Sequence, residues 1–334
     1  MIDISTVEYD VELLTEDGER YLLGGALLSL QWEEQKNELA QRATLTVANA
    51  TIGDTDVRIM SVAKINCVIL IYGRWGDTRE LVFEGSIWEW QYTSSTRKQL
   101  SITAYDKLIR LQQSKDFKYY SAGMSTQAII GDICGDWGIP LAYKWGRSMT
   151  HENKVFSAER ISDMIIGLLE EVRLNTGEKF IAYFRGGELQ IVGYGMNKPI
   201  YRFDGENVTM TTDKLSINNL VTRVKIIGKQ DDAGRVSVDA IVDGNTDYGV
   251  MQEIVRRDSN KTIEAAKAEA DTILKERGKP EETTRITVPD LPFLRKGDKI
   301  EAAAGNLIGF FHVMGVAHIA AARQMTLTLE RTPG

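Results

Sequence analysis

Alternation at period two dominates the first third of the chain. Ala43-Thr44-Leu45-Thr46-Val47 and Leu100-Ser101-Ile102-Thr103-Ala104 each put every second residue on an apolar face, the pattern of half-buried strands with one wet side. Ile65 to Ile71 is apolar on both faces, as in a strand covered from both sides. Tyr72-Gly73-Arg74-Trp75-Gly76-Asp77 then leads to Leu81-Val82-Phe83, which predicts a hairpin with a glycine-rich tip. Residues 1–113 show no helical period and are expected to be strands and turns.

From about residue 114 to 203 the period changes. Ser125 can cap a helix whose Ile129, Ile130, Ile133 and Trp137 share a face, stopped by Gly138 and Pro140. A second helix after Ser157 repeats Ile161, Met164, Ile165, Leu168, Leu169 and Val172 at threes and fours and ends at Asn175-Thr176-Gly177. Phe180 to Phe184 and Leu189 to Val192 flank Gly186-Gly187, a hairpin signal because both turn residues can take positive φ. This segment reads as an α+β insert. Residues 204–334 return to strands, interrupted by one helix at about 261–277 with Ile263, Ala266, Ala270, Ile273 and Leu274 inward.

The two outer regions share an order of elements. Lys64-Ile65 opens a strand, Phe83 to Ile87 follows, and Gln99-Leu100-Ser101-Ile102-Thr103 closes the set. Lys299-Ile300, Val313 to Val316 and Gln324-Met325-Thr326-Leu327-Thr328 repeat it near the end. The fold class expected is mainly β with an α+β insert, and the repeat raises the possibility of a duplicated barrel.

Composition narrows the function. The chain has 334 residues, 43% hydrophobic and 26% charged, which is the profile of a globular protein of about two domains rather than a fibre or a disordered tail. No apolar run approaches the roughly 20 residues of a membrane span. The start, Met1-Ile2-Asp3-Ile4-Ser5, lacks the marks of a signal peptide, so the protein is expected to be soluble and, at first, cytoplasmic. A net charge of -7 provides no general field for gathering nucleic acid. Acids crowd the start: Asp3, Glu8, Asp10, Glu12, Glu16, Asp17 and Glu19 face only Arg20, either as solvated strand faces or as a dock for a basic partner. Cys67 and Cys134 lie in separate elements without a CxxC partner and read as reduced, buried thiols.

Catalytic signatures are missing from the sequence. Gly24-Gly25 and Gly186-Gly187 lack the spacing of a phosphate or dinucleotide loop, and no G-x-S-x-G elbow occurs. His312 and His318 could face the same way but have no third ligand; His151 stands apart. Glu170-Glu171 and Asp231-Asp232 are explained by solvation, since neighbours on a helix point about 100° apart and Asp-Asp-Ala-Gly is a turn sequence. Trp88, Trp90 and Tyr92 alternate on one face and read as core or as a subunit contact. Arg74 and Trp75, at the expected hairpin tip, are the partner-interface candidates, against the alternative that Trp75 folds back on its own barrel. No catalytic, cofactor-binding or metal-binding residue is assigned.

Taken in order, these residues resemble the baseplate hub proteins of contractile phage tails, including those of defective-prophage and bacteriocin-like particles, akin to the late control gene D family. The likeness rests most on Asp247-Tyr248-Gly249, Gln252-Glu253-Ile254-Val255, the helix with Ala265-Ala266 and Ala270, then Pro292, Gly297-Asp298-Lys299-Ile300, the His318 hairpin and Met325 to Leu329. Ser216 to Val224 and the helix around Ser162-Asp163 extend it over nearly the whole chain. The resemblance implies two tube-type β-barrels, at 1–113 and 204–334, flanking the α+β domain at 114–203. It further implies a homotrimer joining a six-fold tail tube protein to a three-fold central spike protein. The tape-measure protein and other baseplate proteins would be neighbours. Such a hub is no enzyme, uses no cofactor, binds no nucleic acid specifically and has no membrane span. It is made in the bacterial cytoplasm and ends in the baseplate. The alternatives are a tail-associated peptidoglycan or glycan hydrolase and a glycan-binding receptor module, for which Trp75 and Trp145 would be the exposed aromatics.

Overall fold

A computed structural model describes residues 7–53, 55–94, 98–144, 149–230, 234–257 and 262–332. The period-two segments near the start become β1 (Glu8–Leu14), β2 (Arg20–Leu22), β3 (Leu27–Glu34) and β4 (Arg42–Ala48). A short helix α1 (Ile59–Val62) precedes β5 (Val68–Trp75), β6 (Thr78–Thr93) and β7 (Gln99–Tyr105), and α2 (Ile109–Gln113) follows. These two helices, each about one turn, are too short to show a period in sequence. The strands lie in the order β2-β1-β5-β6-β7-β4-β3. Their alternate residues, among them Val11, Leu13, Trp32, Leu45, Ile69, Phe83 and Ile102, fill one core. Two expectations shift here. β5 begins at Val68, so Ile65 stays outside it and largely exposed, after which Asn66 takes a positive φ of 70°. Arg74 and Trp75 belong to β5 itself, opposite Arg79 and Thr78, and the turn is Gly76-Asp77.

The α+β insert contains β8 (Lys115–Tyr120), α3 (Thr126–Asp136), β9 (Leu141–Tyr143), β10 (Lys154–Arg160), α4 (Ile161–Thr176), β11 (Phe180–Arg185) and β12 (Glu188–Gly193). Ser125 caps α3, its hydroxyl accepting from Ala128 N at 3.2 Å, and Gly177 ends α4 at a φ of 74°. Gly186 and Gly187 take φ of 62° and 84°, the hairpin conformation their sequence requires. Ile129, Ile130, Ile133, Met164, Ile165 and Leu168 share a core with Leu189 and Ile191. Trp137 is not part of that core; it caps α3 and stays partly exposed.

The rest of the chain holds β13 (Tyr201–Asp204), β14 (Met210–Ser216), β15 (Arg223–Gln230), β16 (Val236–Asp243), β17 (Gln252–Arg256), α5 (Ile263–Arg277), β18 (Glu281–Pro289), β19 (Lys299–Ala304), β20 (Leu307–Ile319) and β21 (Gln324–Arg331). The chain divides into two compact units, and residues 212–284 are the second of them. In that unit β15 lies antiparallel to β16 and parallel to β17, and Ala266 and Ala270 of α5 pack on Val224, Ile226 and Val255. The helix expected inside the last β region therefore belongs to a separate small core. It reads as an interruption in sequence because β14 carries the chain out to this unit and β18 carries it back.

With β15, β16, β17 and α5 set aside, the last β region has the strand order β14-β18-β21-β20-β19-β13. The first has β3-β4-β7-β6-β5-β1. Taken in chain order the two sets correspond strand for strand, with β2 left over. The likeness extends to register. β5 starts opposite Ser86 and β19 starts opposite His312; two residues later a bulge interrupts pairing to β7 at Trp88 and to β21 at Met314. Leu100, Ile102 and Ala104 of β7 then match Met325, Leu327 and Leu329 of β21, all buried. The sets differ at one end, where β1 meets β5 antiparallel and β13 meets β19 parallel. They are joined into one sheet by β3 and β20, with Gln31 to Glu34 opposite Ile319 to Val316.

Candidate functional site

The joint between β3 and β20 encloses the strongest concentration of buried charge. The segment 290–298, Asp-Leu-Pro-Phe-Leu-Arg-Lys-Gly-Asp, runs beside it. Glu34 ends β3 with its carboxylate buried, bound by the Arg295 guanidinium and by Lys296 N at 2.9 Å. Burial alone would raise that carboxyl; the Arg295 charge and these hydrogen bonds hold it below the ordinary value. Arg295 also reaches the Phe184 carbonyl of β11 at 3.4 Å and lies 4.6 Å over the Tyr183 ring. Lys296 is buried, its ammonium donating to the carbonyls of Gln35 and Glu38, and burial lowers its pKa. One segment thus ties the first β region to the last and to the α+β insert.

Two further acids line this junction. Asp106 accepts from the backbone N–H of Gln41 and of Leu108, each at 2.9 Å; burial pushes its carboxyl up to about 7 against those bonds. Asp298 accepts from Arg295 N at 2.9 Å, and burial raises it to about 6. On the other side, Asp290 accepts from Tyr9 at 2.6 Å and faces His318 Nδ1 at 2.6 Å, while the His318 ring stacks on Trp32 with centroids 4.5 Å apart. These groups interlock with one another and with backbone. They form a structural joint, of which Arg295, Lys296 and Asp298 also line the cleft beside it.

A cleft of about 460 Å³ opens next to it, between β5, the 180–199 stretch and the 293–298 segment. Trp75, Phe293 and Tyr201 make its aromatic wall, with successive ring centroids 5.0 and 5.2 Å apart. The Trp75 ring is half-buried against the last β region of its own chain. Arg74 points the other way and bridges Glu8 at 2.6 Å and Asp10 at 3.3 Å. Arg79 continues the chain of charges from Asp10 at 3.3 Å to Glu12 at 2.8 Å, and Arg20 meets Glu12 at 3.1 Å. Of the acids that crowd the start of the sequence, Glu8, Asp10 and Glu12 are therefore paired with arginines of β2, β5 and β6, of which Arg74 and Arg79 lie more than fifty residues away in the chain. Asp3 lies outside the described residues.

The remaining candidates do not converge. His318 is buried on Trp32, whereas His312 stands beside Tyr194 with ring centroids 5.3 Å apart. His151 hydrogen-bonds Thr126 at 2.7 Å and faces Glu171 at 3.2 Å. Glu170 pairs with Arg173, and Glu171 with Lys154, so the two acids serve different partners. Asp231, Asp232 and Trp145 lie outside the described residues. Cys67 and Cys134 are both buried and free, and burial raises the Cys134 thiol to about 12. Among the described residues no cluster of three metal-ligating side chains occurs, and no helix is long and apolar enough to cross a membrane. Sequence reasoning missed Glu34, Asp106 and Arg295. Arg295 has a linear sign only in the density of Pro, Gly and charge in 290–298, and Glu34 and Asp106 have none there, because their partners are supplied by distant segments.

Comparison with known proteins places this architecture. The fold is that of phage tail proteins: the chain is similar to the tail protein from Neisseria meningitidis MC58 with a TM-score of 0.67, 13% identity and 97% coverage of both chains. It is similar to the 43 kDa tail protein of prophage MuSo2 from Shewanella oneidensis with a TM-score of 0.66, at 14% identity over 97% of this chain and 98% of that one. In sequence it is 26% identical over 202 residues to the uncharacterized protein YqbQ of Bacillus subtilis (strain 168), a stretch that covers 59% of this chain and 61% of the relative's length. The model of one family, described as YQBQ-like, matches residues 30–331, and the chain belongs to that family.

Proposed function

We propose that this chain is a structural protein of a phage-type tail and, within it, a baseplate hub: a trimeric adaptor joining a six-fold tail tube to a three-fold central spike. The doubled β unit carries the reading. One chain holds two sets of six strands in the same order, joined edge to edge through β3 and β20. Three such chains present six similar units to a tube and three to a spike, which is how one molecule can match two symmetries. In this reading residues 1–113 and the strands β13, β14, β18, β19, β20 and β21 are tube-type barrels, and the rest of 114–203 is the domain between them. The buried joint around Glu34 and Arg295 holds the two β sets in one relation, as an adaptor requires. Its partners are two further copies, the tube protein, the spike protein and the tape-measure protein. It acts without catalysis or cofactor, assembles in the bacterial cytoplasm and resides in the baseplate.

The test is the mass of the purified protein by light scattering, alone and with the spike protein encoded beside it. Three chains of 37.4 kDa give about 112 kDa, and a mass near that value in either condition supports the hub. A strict monomer in both overturns it and directs attention to cell-wall hydrolysis. A second reading, a glycan-binding module, is favoured by the aromatic wall of Trp75, Phe293 and Tyr201 in the same cleft as Asp298. A glycan array with the wild-type protein and Trp75→Ala tests it, with loss of a specific signal in the variant as the supporting result.

A further inference from the structure

We propose that copies of this chain join by strand pairing between the free edge of β6 beyond Ile87 in one copy and the free edge of β14 in the next. The inference rests on the hub reading for its partner, a second copy, and goes beyond it by naming the two edges.

β20 pairs with β19 through its first half, up to His312, and after the bulge at Met314 that edge is taken over by β3. Its counterpart β6 pairs with β5 up to Ser86 and bulges at Trp88, but beyond this point no strand takes over that edge among the described residues. The same holds for the other partner. β3 has β4 on one side and β20 on the other, whereas its counterpart β14 has β18 on one side and, among the described residues, ends the sheet. One of two equivalent joints is thus filled, and the two strands of the other lie open on the same chain. An open edge exposes a row of unpaired N–H and C=O groups that a strand of a second chain can satisfy.

Burial supports the match. With Trp88 in the place of Met314, Trp90 falls in the place of Val316. Met314 and Val316 are 5% and 3% exposed, while Trp88 and Trp90 are 43% and 38% exposed. Two tryptophans two residues apart on an open edge are the residue type that protein interfaces bury. On β14, Met210 and Leu215 are 56% and 65% exposed, whereas Leu30, the counterpart of Met210 on β3, is buried. Because the two edges differ, the contact is head-to-tail. One copy offers β6 and receives on β14, so the joint repeats from copy to copy.

The register can be stated. Ala317 lies opposite Glu33 within the chain, and Gln91 is the counterpart of Ala317. The contacts of Thr287 with Thr326 and with Thr209, and of Thr284 with Asp213, carry the same count through β18 and put the counterpart of Glu33 at Asp213 or Lys214. Gln91→Cys should therefore cross-link to Asp213→Cys or Lys214→Cys of a neighbouring copy under mild oxidation. Gln91, Asp213 and Lys214 are exposed and the native thiols Cys67 and Cys134 are buried, so the substitutions leave the core intact and the background low.

The expected result is covalent dimers and larger species from one of the double variants. Mixing the two matching single variants should give a linked dimer, and neither single variant should link alone. Trp88→Glu with Trp90→Glu should weaken assembly at least tenfold while the melting midpoint holds. If light scattering finds the full multimer but neither cysteine pair links and the glutamate variant assembles normally, the edges are wrong and the hub reading stands. If the wild-type chain is a monomer alone and with the spike protein, the hub reading fails and this joint fails with it.

Discussion

The backbone N–H of Lys296 donates to the Glu34 carboxylate at 2.9 Å, joining positions 262 residues apart. With the Arg295 guanidinium on the same carboxylate, this bond fixes the end of β3 against the segment that precedes β19. A buried carboxylate held by one guanidinium is costly to leave alone, so the joint should respond sharply to loss of either partner.

Arg295→Met keeps much of the side-chain volume and removes the charge. The loss expected is about 3–5 kcal/mol, because Glu34 stays buried without its cation. Adding Glu34→Leu to that variant should recover part of it. Urea denaturation of the two single variants and the double variant measures this; additive losses would show that the two residues do not act as a pair.

Asp298 gives a pH dependence with a definite sign. Burial raises its carboxyl to about 6, above the ordinary value of 3.8, so the folded protein binds the proton more tightly than the unfolded chain. The stability it contributes is complete below about pH 4 and disappears as the pH rises through about 6. Asp298→Asn can still accept from Arg295 N and should flatten this fall. The difference in melting midpoint between wild type and variant, followed from pH 4 to 7, checks it; a constant difference would refute the shift.

Trp75 and Arg74 are neighbours in sequence with different surroundings. Trp75→Ala removes a half-buried ring from Phe293 and should cost about 1–3 kcal/mol. Arg74→Ala breaks only exposed ion pairs and should cost less than about 1 kcal/mol. Thermal melts separate them. A Trp75→Ala protein of unchanged stability that no longer assembles would make the ring a partner anchor instead.

Gly85 is the residue of β6 that permits close passage over β7. A Cβ there would lie 2.5 Å from the Phe83 ring and 2.6 Å from the Tyr105 backbone, which cannot move aside. Gly85→Ala should destabilise by about 1–3 kcal/mol through overpacking. Equal stability of variant and wild type by denaturant titration would show that the strand can bend away.

Local chemistry decided the elements, and it was legible. Period two in Ala43 to Val47 and Leu100 to Ala104, threes and fours in Ile161 to Val172, and Gly186-Gly187 each act over a few residues, so the linear chain carries them in full. The likeness of Gln99-Leu100-Ser101-Ile102-Thr103 to Gln324-Met325-Thr326-Leu327-Thr328 was legible too, and these segments became β7 and β21 in matching places. What only the tertiary structure decided is which distant residues meet. The acids Glu8, Asp10 and Glu12 look unpaired until β5 and β6 bring Arg74 and Arg79 beside them. Trp75 looks exposed until Phe293 covers it. The helix at 263–277 belongs to its own core because β14 and β18 run out to a separate unit and back. Periodicity records which side of an element is apolar but not which element will cover it. Glu34, Asp106 and Arg295 were illegible for that reason, since a charge is given its burial and its partner by segments far away in the chain.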